Sequence, residues 1–102
     1  LALLGCGKRD ISFDMDLPQP QWRARVGDAA PRAVPAHWQI AALNDQHAYL
    51  RWDASAPPAE QPAVGEIVGL GISHPCTTFD KWRWMAMIDD EGFVVDALTT
   101  CF

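Results

Sequence analysis

Apolar and polar residues alternate with period two through much of this chain, the pattern of strands with one buried face. Ile11, Phe13 and Met15 alternate with Ser12, Asp14 and Asp16, which predicts a half-buried strand over residues 11–16 with the apolar side chains inward. Pro18 and Pro20 are expected to stop it, because proline brings no N–H to a ladder. Trp22, Ala24 and Val26 then alternate with Arg23 and Arg25, and Gly27-Asp28 reads as a turn. Residues 29–36, with Pro31 and Pro35, read as loop. Residues 37–43 fit a strand or a short helix, and Asn44-Asp45 is a turn signal. Ala48, Leu50 and Trp52 form one face of the next strand, opposite His47, Tyr49 and Arg51. Residues 54–63 are a proline-rich loop too poor in large apolar side chains to be core. Residues 67–72 predict a buried strand whose glycines permit close approach of another backbone or a ligand. Residues 82–88 and 93–98 predict a hairpin closed by Asp89-Asp90-Glu91-Gly92, with Gly92 suited to positive φ.

No internal repeat and no long helical period is present. The fold class that follows is mainly β, a small antiparallel barrel or sandwich, with any helix short and near residues 37–46 or 78–82. A chain of 102 residues suits one domain, residues 1–102, with one core. Five tryptophans supply more apolar area than so small a core needs, so some suit a surface that docks against something else. The net charge of -5, without a basic run, speaks against nucleic acid as a partner. No apolar stretch approaches the roughly 20 residues of a membrane-spanning helix. The three cysteines, Cys6, Cys76 and Cys101, are an odd number at irregular spacing and make no disulfide framework. A reducing cytoplasm is the expected compartment. The opening Leu1-Ala2-Leu3-Leu4 lies inside an apolar run without an initiator Met, and residues 94–102 read as a strand running out to a terminus. The chain is therefore expected to be a fragment of a longer protein, with an apolar surface left by a missing N-terminal partner and a tendency to dimerise.

One segment, Ser73-His74-Pro75-Cys76-Thr77-Thr78-Phe79-Asp80, is poorly explained by core packing. In an extended chain His74 and Cys76 project to one face and Pro75 to the other. Imidazole and thiolate are good zinc donors, and two protein ligands leave positions for water or substrate, as in a catalytic site. Cys6, His37, His47 and Cys101 are further donors, none with a paired spacing to this segment. The competing reading is an incidental pair, with Cys76 a small hydrophobe. Lys8-Arg9-Asp10 fits either an anion-orienting group, through the fork of Arg9, or a solvated turn. Trp82 and Trp84 share a strand face and suit core or interdomain packing.

The stretch Gly71-Ile72-Ser73-His74-Pro75-Cys76-Thr77-Thr78-Phe79-Asp80-Lys81-Trp82 resembles the C-terminal signature of the D-serine dehydratase-like family. Within that family the bacterial amino acid deaminases are most similar. Three further stretches agree: Gly7-Lys8-Arg9-Asp10 with Ser12-Phe13-Asp14, Leu43-Asn44-Asp45-Gln46-His47, and Asp89-Asp90 with Val94-Val95-Asp96. The resemblance implies the C-terminal β domain of a fold-type III enzyme, similar in plan to alanine racemase and dependent on pyridoxal phosphate. An N-terminal α/β barrel would carry the Schiff-base lysine and the cofactor phosphate, so neither Lys8 nor Lys81 is that lysine. His74 and Cys76 would bind zinc, which would polarise the β-hydroxyl of a D-amino acid while the cofactor acts as electron sink. Elimination and hydrolysis would yield a keto acid and ammonia. His47, Arg9 and Asp10 become secondary site candidates on the same ground. D-Threonine aldolases resemble this plan but favour an acidic residue where Cys76 stands. An aldolase-like lyase and a non-catalytic interaction module stay open as alternatives.

Overall fold

The structure is a computed structural model and describes residues 1–101. It contains eight strands: β1 (Ala2–Leu4), β2 (Gln19–Ala24), β3 (Arg32–Ala33), β4 (Gln39–Leu43), β5 (Ala48–Arg51), β6 (Ile67–Gly71), β7 (Trp84–Ile88) and β8 (Val94–Thr99). One turn of α-helix, α1, spans Cys76–Phe79, and one 3-10 turn spans Pro58–Glu60. All pairings are antiparallel, in three open sheets ordered β1-β5-β4, β3-β2-β6 and β7-β8. The mainly β class is as the alternation predicts, and none of the sheets closes into a barrel.

The core forms where alternation is cleanest. Ala48 and Leu50 on β5 are wholly buried and meet Trp38 and Ile40. Ala2 and Leu4 of β1 close this cluster from one side, and Val68 and Leu70 of β6 from the other. Residues 37–43, open between helix and strand in the sequence, become β4 because Ile40 pairs with Leu50 across the ladder. Gly69 faces Trp22 in register. A Cβ at Gly69 would lie 2.0 Å from the Trp22 ring, so the close approach that the glycine permits is that of an indole.

A buried ion pair ties the second sheet to this core. Arg23 is 6% exposed, and its Nε and Nη2 both donate to Glu66 Oε1, at 3.0 and 2.7 Å. The Ala63 N–H donates to the other carboxylate oxygen at 3.0 Å. The Arg23 guanidinium lies 4.9 Å from the centroid of the Trp38 ring. Burial opposes ionisation of Glu66, yet the Ala63 N–H and Arg23 outweigh it and hold the carboxyl below its ordinary value.

Elsewhere the structure departs from the pattern. Residues 11–16 form no strand, and the expected burial fails at their centre: Ser12 is 1% exposed, whereas Phe13 and Met15 are 39% and 69% exposed. The cause is a set of hydrogen bonds described below, which draws Ser12 inward. β2 begins at Gln19, ahead of the strand expected from Trp22, so Pro20 lies inside it, beside a register shift between Pro20 and Trp22 where a missing donor is tolerated. β1 and the two-residue β3 carry too few residues for their period to be read. In the β7-β8 hairpin Gly92 has φ +90° as its turn requires, and the Asp89 carboxylate accepts the N–H groups of Glu91 and Phe93. The hairpin's large side chains are open to solvent, among them Trp84, Ile88, Val94 and Val95, each more than half exposed. Phe102, the last residue of the predicted terminal strand, lies outside the described residues. Among the described residues no helix is long and apolar enough to cross a membrane.

Breaking the Arg23–Glu66 pair by Glu66→Ala should lower stability by about 3–5 kcal/mol, because it strands a buried guanidinium. A carboxyl held below its unfolded value stabilises the fold above that value and ceases to as it protonates. Urea midpoints should therefore fall as the pH drops below about 4.5, the ordinary glutamate value, and Glu66→Gln should lose part of that dependence. Equal midpoints for wild type and Glu66→Ala at pH 7 would show that the pair does not anchor the second sheet.

Candidate functional site

The segment singled out in the sequence leaves β6 at Gly71 and bends before α1. Pro75 has φ -85° and ψ -9°, in the helical region, and its carbonyl accepts the N–H groups of Thr78 and Phe79 at 2.9 and 3.1 Å. Lys81 Nζ caps the other end of the turn by donating to the Thr77 carbonyl at 2.8 Å. The extended geometry expected over residues 74–76 is therefore corrected: His74 precedes a helical turn and Cys76 opens it. Proline's fixed φ suits a first helical turn as well as a strand, so Pro75 alone does not decide between them.

Two residues of the 11–16 loop hold this bend. The Ser12 N–H donates to Thr78 Oγ1 at 2.7 Å, the Thr78 hydroxyl donates back to Ser12 Oγ at 3.0 Å, and the Ser12 hydroxyl donates to the His74 carbonyl. Asp14, two residues on, takes the side chains: Oδ2 is 2.9 Å from His74 Nδ1, and Oδ1 accepts the Thr77 hydroxyl at 3.3 Å. The hydrogen bond from His74, followed by local backbone bonding, holds the Asp14 carboxyl below its ordinary value. An ionised carboxylate can only accept, so Nδ1 carries the proton in this contact, and a neutral ring would then leave its lone pair on Nε2. The His74 side chain is 43% exposed, and Cys76 is an exposed free thiol. The bend therefore carries an imidazole and a free thiol two positions apart, and these donor types suit zinc. Among the described residues no group of three or more His, Cys, Asp or Glu side chains is placed to hold a metal ion, so the chain offers these two donors without a closed set.

The secondary candidates lie elsewhere. Arg9, Asp10 and His47 line a shallow cleft of about 550 Å³ together with Gly5, Gln46, Lys81 and Trp82, and neither His74 nor Cys76 lines it. The Lys8 and Arg9 N–H groups donate to the Asn44 and Asp45 carbonyls, which docks the 7–10 turn on the 44–47 turn. A Cβ at Gly7 would sit 2.6 Å from the Asn44 carbonyl oxygen, so that docking requires glycine. The Asp10 carboxylate accepts the Gly7 N–H at 2.8 Å and is engaged in the turn itself. Arg9 and His47 are exposed. His37 is a structural residue, with Nδ1 accepting the Asp53 N–H and Nε2 3.2 Å from Glu60. Burial, and next to it Asp10, push the Cys6 thiol up. Ser12, Asp14 and Thr78 are neighbours of the bend to which the sequence assigns no site role, although Ser12-Phe13-Asp14 and Thr78 lie in the stretches that carry the family resemblance.

The arrangement is that of a small β domain presenting a histidine and a cysteine at a polar bend. The chain belongs to the D-serine dehydratase-like family: the family model described as "Putative serine dehydratase domain" matches residues 1–88, which include the whole bend. No curated protein matches the chain.

Ser12→Ala removes a buried hydroxyl and leaves the His74 carbonyl and the Thr78 hydroxyl short of a partner. A loss of about 1–3 kcal/mol is expected in urea denaturation, with amide chemical-shift changes concentrated at residues 74–79. Changes confined to residues 11–13, at unaltered stability, would show that Ser12 does not hold the bend.

Proposed function

We propose that this chain is the C-terminal part of a pyridoxal-phosphate- and zinc-dependent D-amino-acid deaminase that removes the β-hydroxyl of a D-hydroxyamino acid. The observation that carries the reading is the family match across residues 1–88, together with a donor pair at its most distinctive segment. His74 Nε2 and Cys76 Sγ would hold zinc, and two protein donors suit a catalytic rather than a structural ion. Zinc bound there would supply a Lewis acid for the leaving hydroxyl, and pyridoxal phosphate an electron sink for the α-carbanion. The chain's own contribution is positional. Ser12 and Thr78 fix the bend, and Asp14 and Thr77 fix the ring of His74. Trp82 braces the neighbouring turn by donating from Nε1 to the Asp10 carbonyl at 2.7 Å. The cleft of Arg9, Lys81 and His47 supplies cationic and polar groups suited to a substrate carboxylate. An N-terminal barrel of the same enzyme would bring the cofactor, its lysine and the base. The exposed apolar residues of the β7-β8 hairpin support such a covering partner, and a homodimer.

The test has two arms. The chain alone, with pyridoxal phosphate and D-serine, should release no pyruvate above a blank. In the parent enzyme Cys76→Ala should lower kcat/KM for D-serine by at least about 100-fold, while the absorbance of bound cofactor persists. Undiminished turnover after chelation would contradict the zinc reading. Glycine and an aldehyde from D-threonine, without pyruvate from D-serine, would instead mark an aldolase.

A further inference from the structure

We infer that Asp14 is a positioning residue for metal binding, selecting Nε2 of His74 as the ligating nitrogen by holding the proton on Nδ1. The inference rests on the zinc reading above and adds a residue and a nitrogen to it. Imidazole has two nitrogens and, when neutral, one proton to place between them. In water the two tautomers interchange freely, so an unsupported histidine presents either nitrogen. Here Asp14 Oδ2 lies 2.9 Å from Nδ1, hydrogen-bond distance for a carboxylate that can only accept. The carboxylate is itself restrained, because its second oxygen accepts the Thr77 hydroxyl. Thr77 belongs to the same turn as Cys76, so the contact that orients the imidazole also grips the element bearing the thiol. Ser12 supplies the third restraint by holding the His74 backbone from the same loop. The residue is thus held at its backbone carbonyl and its ring at Nδ1, which restricts rotation of the imidazole. A carboxylate behind a ligating histidine also raises the ring's basicity and strengthens its bond to the metal.

The burial of Ser12 and the exposure of Phe13 and Met15 follow from the same geometry. Ser12 and Asp14 are two positions apart and both reach the 74–78 segment. Phe13 and Met15, between and beyond them, are turned out. The loop gives up apolar burial to deliver one hydroxyl and one carboxylate to the bend.

The experiment uses this chain labelled with ¹³C and ¹⁵N, as wild type, Asp14→Ala, Asp14→Asn and His74→Ala. Ring nitrogen and Cδ2 shifts of His74 report the tautomer without metal. Titration with zinc chloride, followed at His74 and at the Cys76 Cβ, reports affinity. In wild type the proton should sit on Nδ1. Asp14→Ala should move it toward Nε2 and weaken zinc about 10–100-fold. Asp14→Asn, which keeps an acceptor oxygen but no charge, should fall between and guards against a misfolded alanine variant. Zinc lost in His74→Ala but bound at wild-type strength in both Asp14 variants would overturn the role of Asp14. An unchanged tautomer in both Asp14 variants would also overturn it, whatever zinc does. Zinc binding indifferent to His74→Ala would instead overturn the metal reading, a result distinct from either.

Discussion

A buried serine with three hydrogen bonds decides how the polar end of this domain is built. Ser12 is almost fully enclosed, and a hydroxyl enclosed without partners costs several times what one hydrogen bond returns. Its N–H and hydroxyl are satisfied by Thr78 and by the His74 carbonyl, more than 60 positions along the chain. Satisfying them fixes which side of the 11–16 loop faces inward, brings Asp14 to His74, and turns the 74–79 segment into a bend and a helical turn. The other end depends on apolar packing and on one ion pair, Arg23 with Glu66. The two ends obey different rules: one maximises buried hydrocarbon, the other spends a loop on polar contacts.

That division explains what could be read from the sequence. Around Ala48 and Leu50 a period of two and a hydrophobic face coincide, and the structure follows the pattern. At residues 11–16 the same period is present, but the residue it buries is Ser12, because the partners lie at 74–78 and no local pattern records them. At 74–76 the sequence suggests extended chain, whereas Thr77, Thr78 and Lys81 supply bonds that favour a turn. Pro20 tells the same lesson in reverse: a register shift beside it accommodates what a regular ladder would reject. His74 and Cys76 stood out from residue chemistry alone. Asp14 did not, since an aspartate in a polar alternation looks like any solvated aspartate.

Membership of the D-serine dehydratase-like family covers the whole bend. On the proposed zinc reading, two donors would be weak as a structural clip but suited to a metal that must also meet a substrate. The rigidity of His74 would then come from outside the donors, from the loop that bears Ser12 and Asp14. The cleft bearing Arg9, His47 and Lys81 is joined to the same bend through Lys81, whose ammonium caps the turn that begins at Cys76. The hairpin β7-β8 adds little to the core and exposes most of its apolar side chains, as a surface built for contact would.

The central claim is that His74 and Cys76 together hold a zinc ion, and X-ray absorption at the zinc edge of the parent enzyme tests it most directly. The account predicts one nitrogen at about 2.0–2.1 Å and one sulfur at about 2.3 Å, completed by light-atom ligands, with the sulfur shell lost in Cys76→Ser. A zinc shell of oxygen and nitrogen alone in the unsubstituted enzyme would contradict it.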